Sequence, residues 1–327
     1  MARYIIRRIL FFIPVLFIIS LLNFGLYSMA PGDPITAMYS HLLDEGGDQR
    51  LTDEAMANIR ARLGLDQPWP VRYSIWLGNV LQGDMGRSIM TQRSVMEQIG
   101  RALWPTLQLN LVAISLGVIL GIGLGILQAL NQYSVFDYIF SFIAFFYISV
   151  PGFFLALILI YLFALQLGWL PPSGYETIGA PPSFYDRLRH MALPALTLAF
   201  GTAPGLMRYT RTSVLEVARQ PYTVTAKAKG LGYRLVVMRH ILRNSMIPVL
   251  TQFTGIIPAL IGGSVIIEQI FAWPGMGRLA IRAAFERDYP LLMGLVMLSA
   301  LVMVIAILIV DILYAAVDPR IRYDKMD

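Results

Sequence analysis

The chain has 327 residues, of which 57% are hydrophobic and only 14% are charged, with a formal net charge of +6. An average soluble domain carries about 25% charged residues, so this composition excludes an ordinary soluble protein and indicates a polytopic membrane protein. The chain contains no cysteine, which excludes disulfides, thiolate catalysis and sulfur-ligated metal.

Six runs without a charged residue are candidates for membrane crossings. A helix needs about 20 apolar residues to cross the hydrocarbon layer, and each run meets or approaches that length. The runs are Ile9–Gly32, Ala102–Phe136, Tyr138–Tyr175, Met191–Met207, Asn244–Ile267 and Tyr289–Val310. The sequence therefore predicts an all-α polytopic membrane protein with six transmembrane helices.

The first run follows Arg7 and Arg8 and predicts an N-terminal transmembrane helix within residues 1–30. The same features, with the small residues of Ser28-Met29-Ala30, also resemble a secretory signal peptide. The apolar core of a signal peptide has about 7–15 residues, and this run is longer. The length favours a retained helix.

Residues 31–101 form a polar segment between the first and second crossings. Thr52 and Gly64 are typical start and stop residues of a short helix. A turn at Asp66–Pro70 precedes a second helix-like stretch, Val71–Leu81. We expect a small folded cap on the outer membrane surface, which is too short for an independent enzyme domain.

The other five crossings lie within residues 102–317, which we expect to form the membrane core. The second crossing has Gly117, Gly121 and Gly125 at four-residue spacing. Such a row of small residues lets two helix backbones approach closely, although glycine can also be scattered in a membrane helix without this role. We interpret the row as a packing surface within the bundle.

The third and fourth crossings are the least regular. The third run is long enough for two crossings, but Trp169 and a cluster of prolines and glycines crowd its end, which favours one helix followed by an irregular loop. The fourth run is short, and its Gly201, Pro204 and Gly205 are residues that can bend a helix.

The segment between the fourth and fifth crossings is strongly basic and contains one acid, Glu216. Its cations are Arg208, Arg211, Arg219, Lys227, Lys229, Arg234, Arg239 and Arg243. Basic loops stay on the cytoplasmic side of a membrane. With six crossings, both termini, including the tail 318–327, are then cytoplasmic. The basic excess is explained by this orientation in a lipid bilayer and requires no nucleic acid.

Within this segment, residues 208–245, we expect two short helices, Arg211–Arg219 and Pro221–Lys229, and then a turn at Gly230-Leu231-Gly232. A further helix is indicated after the turn by apolar residues at helical spacing, namely Leu235, Val236, Met238, Ile241 and Leu242. Small residues around the turn form a low ridge that the groove of another protein could accept. A loop lying on anionic lipid would explain the charges equally well, but not the glycine corner.

The run Thr225-Ala226-Lys227-Ala228-Lys229-Gly230-Leu231, followed by Arg239-His240-Ile241-Leu242-Arg243, resembles the cytoplasmic EAA loop of binding-protein-dependent ABC importer permeases. It is most similar to the form found in the dipeptide/oligopeptide/nickel branch. The chain departs from the general pattern at four positions, Val224, Thr225, His240 and Arg243, where Glu, Ala, Ile and Pro are usual.

Other segments along nearly the whole chain support the same branch. They are Pro31-Gly32-Asp33-Pro34, Gly64-Leu65-Asp66-Gln67-Pro68, Gly83-Asp84-Met85-Gly86-Arg87-Ser88, Phe271-Ala272-Trp273-Pro274-Gly275-Met276-Gly277 and Asp318-Pro319-Arg320-Ile321-Arg322. Each is weak alone, and their shared order and spacing make the resemblance specific.

The resemblance implies a permease subunit in a bacterial cytoplasmic (inner) membrane. Its implied partners are a second homologous permease, two ATP-binding subunits, an extracytoplasmic substrate-binding protein and a peptide substrate. Glutathione, a nickel chelate or an oligosaccharide are alternative cargoes. The sequence has no Gly-x4-Gly-Lys-Ser/Thr phosphate loop, so ATP and Mg²⁺ are expected on the partner subunits and no cofactor is expected here.

Two sets of residues are candidates for these roles. Coupling to the ATPase is assigned to Thr225, Ala226, Gly230, Leu231, Gly232, Arg239 and Leu242. The translocation path is assigned to polar residues within the crossings, which are Asn110, Ser149, Gln252 and Thr254. Asp311, near the end of the last crossing, is interpreted as a structural partner for an arginine of the basic loop at least as readily as a path residue.

Two other classes of function fit the sequence less well. An intramembrane enzyme needs a catalytic pair or a metal site within the helices, and the scattered histidines and carboxylates form neither motif. A secondary transporter is typically built from inverted repeats with interrupted helices, and a single basic docking loop is not part of that design. The sequence therefore favours a permease that is not itself an enzyme.

Overall fold

The computed structural model describes residues 2–29, 66–252 and 265–317, and these are helical apart from loops and one β-bridge between Arg87 and Ser94. The predicted short helix between Thr52 and Gly64 lies outside the described residues. The helices are α1 (Ala2–Ser28), α2 (Trp69–Leu81), α3 (Val95–Leu130), α4 (Val135–Ser149), α5 (Gly152–Leu159), α6 (Phe184–Ala218), α7 (Pro221–Ala228), α8 (Tyr233–Leu235), α9 (Arg243–Thr251), α10 (Val265–Ile270), α11 (Met276–Phe285) and α12 (Tyr289–Val317). Two π-helical segments continue α5 and α8, at Ile160–Gln166 and Val236–Leu242.

Among the described residues, three helices are long and apolar enough to cross a membrane: Ile6–Ser28, Val95–Leu130 and Tyr289–Ile309. They correspond to the predicted first, second and sixth crossings. A fourth candidate is the pair Val135–Ser149 and Gly152–Gln166, which is bent by 111° and is either a broken span or a re-entrant loop.

This bend corrects the prediction of one helix in the third run. Val150 has an extended backbone, with φ −91° and ψ 126°, and Pro151 follows it. A residue before proline is pushed out of the helical region by the proline ring, and proline itself has no N–H to donate. The irregular loop predicted near Trp169 is present, since no helix lies between Gln166 and Phe184.

The helix that contains the fourth apolar run also differs from the prediction. Helix α6 is continuous over 35 residues and contains Pro194 and Pro204 without interruption. It ends at Ala218, so Arg211–Arg219 is not a separate loop helix but nearly all belongs to the last turns of α6. The basic segment therefore begins on a rigid helix that also passes through the bundle.

The predicted glycine surface is confirmed, because it packs α3 against α6. A Cβ atom added to Gly117 would lie 2.2 Å from Thr202 Oγ1, and one added to Gly125 would lie 2.6 Å from the Met207 carbonyl oxygen. At Gly121 the nearest atom would be Leu206 Cβ at 2.9 Å. The close approach of the two backbones therefore depends on these small residues, and most strictly on Gly125, where the nearest atom is a backbone oxygen.

Helix α1 packs along α12. Arg8 Nε lies 2.7 Å from Asp311 Oδ2, so Asp311 pairs with the first helix and not with an arginine of the basic loop. Near the other end, Asn23 Nδ2 donates to the Met293 carbonyl at 3.1 Å. Helix α2 lies on α1, where the Tyr73 hydroxyl is 2.7 Å from Ser20 Oγ.

The turn between α10 and α11 surrounds a fully buried carboxylate, Glu268. Its Oε1 accepts from the Thr106 hydroxyl at 2.7 Å, and its Oε2 accepts from the backbone N–H of Gly277 at 2.7 Å and of Arg278 at 3.2 Å. The indole of Trp273 donates to the Pro105 carbonyl at 3.0 Å. These bonds fasten the Trp273-Pro274-Gly275-Met276-Gly277 motif to α3.

Candidate coupling surface

The candidate coupling surface, called the coupling surface below, consists of α7, the turn at residues 229–232, α8 and the π-helical segment after it. Two threonine side chains stabilise its start: Thr223 Oγ1 donates to the Val217 carbonyl at 2.9 Å, and Thr225 Oγ1 donates to the Pro221 carbonyl at 2.9 Å. The first bond connects α7 to the end of α6. The segment is therefore ordered and held at a defined angle to the bundle.

A small apolar core lies beneath this surface. Its buried members are Ala129, Val214, Ala226, Val236, Val237 and Ile241. They come from α3, α6, α7 and the π-helical segment, so one cluster joins the coupling surface to the two glycine-packed helices. Burial of apolar area is the main favourable term in such packing.

The predicted coupling residues divide between this core and the surface. Ala226 is only 5% exposed and belongs to the core, so it is not part of an outward ridge. Leu242 is half-buried beside it. The exposed members of the set are Thr225, Gly230, Leu231, Gly232 and Arg239.

The turn requires glycine at one position only. Gly230 has φ +76°, a left-handed conformation that side-chain-bearing residues rarely adopt. Gly232 has φ −56° and ψ 141°, which any residue can adopt. Leu231 lies between them and is 39% exposed. The turn thus presents an apolar side chain on a constrained backbone.

The π-helical segment changes which residues face inward. Helical spacing predicted that Met238 belongs to the apolar face, but Met238 is 66% exposed, and Val237 is buried in its place beside Val236 and Ile241. An i→i+5 hydrogen-bond pattern widens the turn and shifts the register by about one residue relative to an α-helix. Single-turn π segments are frequent at functional sites.

Most cations of the basic segment are exposed. Among the described residues, these exposed cations have no carboxylate within ion-pair distance. They are Arg208, Arg219, Lys227, Lys229, Arg234, Arg239 and Arg243. Such a field attracts an acidic partner surface.

Arg211 is the exception, since it forms a two-pronged ion pair with Asp137 of α4. Its Nε lies 2.8 Å from Oδ1 and its second nitrogen 2.7 Å from Oδ2. The Asp137 side chain is 2% exposed and also accepts from Gln128 Nε2 and from the Tyr133 backbone N–H. This pair fastens α4 to α6, and nothing in the local pattern around either residue indicated it.

The predicted path residues are not joined by any hydrogen bond in the described part of the chain. Asn110 is buried in α3 and donates to the Thr106 carbonyl at 3.0 Å. Ser149 is exposed at the end of α4 and bonds to the Phe145 carbonyl. Gln252 is exposed after α9, and Thr254 lies outside the described residues. Their role stays a prediction.

A bundle that includes three long apolar helices is typical of an integral membrane protein, and its exposed basic surface is a candidate contact for another protein. The chain belongs to the binding-protein-dependent transport system inner membrane components: that family model matches residues 121–323, and the model of its N-terminal region matches residues 1–109. The predicted location in the inner membrane is thereby confirmed.

Two relatives and one solved structure show how far the likeness extends. The oligopeptide transport system permease protein AppB of Bacillus subtilis is 43% identical over 99% of this chain and 100% of its own. The glutathione transport system permease protein GsiC of Escherichia coli K12 is 38% identical over the same shares. The inward-facing MetNI methionine ABC transporter matches with a TM-score of 0.55 at 17% identity, covering 68% of this chain and 97% of that chain, so it shares the fold.

Proposed function

We propose that this chain is the permease subunit of an ATP-driven importer of peptides, in which it forms half of the translocation pathway beside a second homologous permease. The observation that carries this proposal is the ordered basic coupling surface on a chain 43% identical to an oligopeptide permease. Six crossings with both termini in the cytoplasm are part of the proposal. The charge distribution supports that orientation.

The energy for transport comes from two separate ATP-binding subunits that hold the nucleotide and Mg²⁺. They contact the exposed residues of the coupling surface, Thr225, Gly230, Leu231, Gly232 and Arg239, and their acidic groups face its cations. An extracytoplasmic binding protein delivers the peptide on the opposite side. Neither ATP hydrolysis nor peptide selection then requires a catalytic residue in this chain.

The packing supports a lever mechanism. Movement of α7 is transmitted through buried Ala226 and Val236 to α3 and α6, because these elements share one apolar core. Ser213 Oγ of α6 also donates to the Ser245 carbonyl of α9 at 2.8 Å, in a buried position. Closure of the ATPases therefore moves packed helices as rigid bodies and changes the side on which the pathway opens.

Glutathione is the second candidate cargo, because the glutathione permease GsiC is 38% identical over nearly the whole chain. Both cargoes are short peptides with charged ends. Of the described members of the proposed polar path, Asn110 is buried, and Ser149 and Gln252 are exposed candidates at helix ends. Amide and hydroxyl groups suit a cargo whose charges vary, because they tolerate either sign.

The test is isolation of the tagged chain with its partners from gently solubilised membranes. We expect a second permease and an ATPase to co-purify, and the reconstituted complex with its binding protein to hydrolyse ATP faster when a di- or oligopeptide is supplied. If only glutathione stimulated ATP hydrolysis, glutathione would replace di- and oligopeptides as the assigned cargo. Isolation of the chain without any ATPase, combined with unimpaired uptake, would contradict the importer assignment itself.

A further inference from the structure

A small pocket lies beside the coupling surface, where α3, α4 and α6 meet. Its volume is about 130 Å³. One wall is polar and includes Gln128, Ser141 and Arg208, and the other is apolar and includes Ala144, Phe145 and Met207. A pocket with one charged and one apolar wall at the end of membrane helices suits an amphipathic molecule.

The polar wall has an uncompensated positive charge. Two cations, Arg208 and Arg211, line the pocket, and one carboxylate, Asp137, neutralises Arg211. Among the described residues, no carboxylate lies within ion-pair distance of Arg208. Its guanidinium lies 5.2 Å from the centre of the Phe145 ring, so the group is held at the pocket mouth while its N–H donors stay available.

A second donor lies deeper in the pocket. Gln128 Nε2 donates to Ser141 Oγ at 3.1 Å, and the same nitrogen donates to Asp137. The Ser141 hydroxyl therefore accepts one bond from the protein and can donate its own proton into the pocket. Arg208 and Ser141 together offer donors to one anionic oxygen group.

The apolar wall continues onto the exposed face of α4. Phe142, Phe145 and Phe146 are 72%, 57% and 51% exposed, and they lie on the helix that forms this wall. An acyl chain could lie along these rings while its headgroup occupies the polar wall. A free inorganic anion would leave the apolar wall uncovered.

We propose that this pocket binds the phosphate of an anionic phospholipid, with Arg208 and Ser141 as its donors and the aromatic face of α4 as the seat of one acyl chain. Basic pockets between membrane helices on the cytoplasmic side suit such headgroups. The bound lipid bridges α4 and α6 next to the Asp137–Arg211 pair, so it stabilises the position of α6, one of the two helices that carry the coupling surface.

The test uses the complete importer, released from membranes that contain phosphatidylglycerol and phosphatidylethanolamine, and native mass spectrometry of the bound lipid. We expect retained phosphatidylglycerol in the wild type and about tenfold weaker retention in Arg208→Ala, the loss of one charge-assisted contact. Arg208→Lys keeps part of the binding, and Ser141→Ala loses part of it. Arg219→Ala is the matched control, since Arg219 is an exposed cation of the same segment outside the pocket.

A thermal-stability assay distinguishes a phospholipid from free inorganic phosphate as the ligand of this pocket. Phosphatidylglycerol in mixed micelles is expected to raise the unfolding temperature of the wild type and not of Arg208→Ala, whereas inorganic phosphate alone has no effect. Equal stabilisation by inorganic phosphate would overturn the lipid assignment. Equal lipid loss in Arg208→Ala and Arg219→Ala, or loss in neither, would overturn the site. None of these readouts depends on cargo or on ATP hydrolysis, so they are separate from the importer assignment.

Discussion

Two glycines of α3 lie two residues apart and have different surroundings. A Cβ at Gly125 would lie 2.6 Å from the Met207 carbonyl, a backbone atom that cannot rotate away, whereas a Cβ at Gly123 meets nothing within 4 Å. We expect Gly125→Ala to lower the free energy of unfolding by about 1–3 kcal/mol through overpacking. The matched Gly123→Ala variant is expected to be neutral or slightly stabilising.

Thermal unfolding of the purified complex in one detergent measures this difference. A lower midpoint for Gly125→Ala than for Gly123→Ala supports the close approach of α3 and α6. Equal midpoints would mean that these two helices are not packed through this surface.

Two substitutions of Glu268 test how much its buried carboxylate contributes to stability. Glu268→Leu leaves the Thr106 hydroxyl and the N–H groups of Gly277 and Arg278 without their acceptor, and we expect a loss of about 3 kcal/mol or more. Glu268→Gln costs less, because the amide oxygen still accepts from both N–H groups while the amide nitrogen can donate to Thr106.

Unfolding midpoints in the order wild type, Glu268→Gln, Glu268→Leu would support this arrangement. Glu97→Leu is the control, because Glu97 pairs with Arg101 on an exposed helix face and contributes little. If both Leu variants behaved alike, Glu268 would not be the acceptor that holds this turn.

Single residues show which contacts a sequence pattern can predict and which it cannot. The four-residue spacing of Gly117, Gly121 and Gly125 predicted a packing surface, because spacing along one helix is a local property. The partner of Asp137 is 74 positions away in Arg211. That contact depends on how α4 and α6 pack, and no periodicity in either helix encodes it.

At the scale of elements, the turn at residues 229–232 contains two glycines with different backbone conformations, so one can serve as the control for the other. Gly230 has φ +76°, Gly232 has φ −56°, and an added Cβ meets nothing within 4 Å at either position. Gly230→Val therefore introduces backbone strain of about 1–2 kcal/mol, and Gly232→Val does not. We expect only Gly230→Val to reduce peptide-stimulated ATP hydrolysis in the assembled importer, by about 5–30-fold if the strain acts fully on the docked state.

The measurement compares stimulated with basal hydrolysis for both variants at equal subunit stoichiometry. Loss of stimulation with retained basal hydrolysis places the defect in coupling. Full stimulation of ATP hydrolysis in Gly230→Val would show that coupling does not depend on the backbone shape of this turn. An equal loss of stimulation in Gly232→Val would show that side-chain bulk, and not backbone conformation, causes the defect.

Sequence patterns predicted which elements exist better than where they end. The apolar runs predicted α1, α3 and α12, because about 20 apolar residues in a row leave few alternatives to a membrane helix. They did not predict the 111° bend at Pro151 or the π-helical register that buries Val237 instead of Met238. Both features depend on packing around a local backbone irregularity, which hydrophobicity alone does not reveal.

At the scale of the whole molecule, the first and last helices pack against each other along their length. Arg8 and Asp311 connect α1 to α12 near one end, and Asn23 connects them near the other. Helix α12 also packs against α3, where Val95 and Ile99 share a buried cluster with Leu291 and Leu295. Helices α3 and α6 in turn share the apolar core beneath the coupling surface. The first and last helices are therefore joined through α3 to the glycine-packed pair that carries the coupling surface.

The absence of native cysteine makes the topology directly measurable. Three exposed positions serve as single-cysteine reporters: Val135→Cys at the start of α4, Ile178→Cys in the loop after α5, and Lys229→Cys in the coupling turn. With six crossings and cytoplasmic termini, a membrane-impermeant maleimide added to intact cells or spheroplasts should label only Ile178→Cys. Permeabilised membranes should allow labelling at all three, and the cysteine-free wild type gives the background.

The same reporters show whether α4 and α5, which meet at a 111° bend, form one broken span or a re-entrant loop. If the pair is one broken span, Val135 and Ile178 lie on opposite membrane faces, and their labelling differs. If the pair re-enters the membrane, both positions lie on the same face, and the number of crossings changes by one. The termini would then lie on opposite sides, because an odd number of crossings separates them. Labelling of Val135→Cys from outside would therefore refute the six-helix topology, and labelling of Lys229→Cys from outside would refute the orientation of the coupling surface.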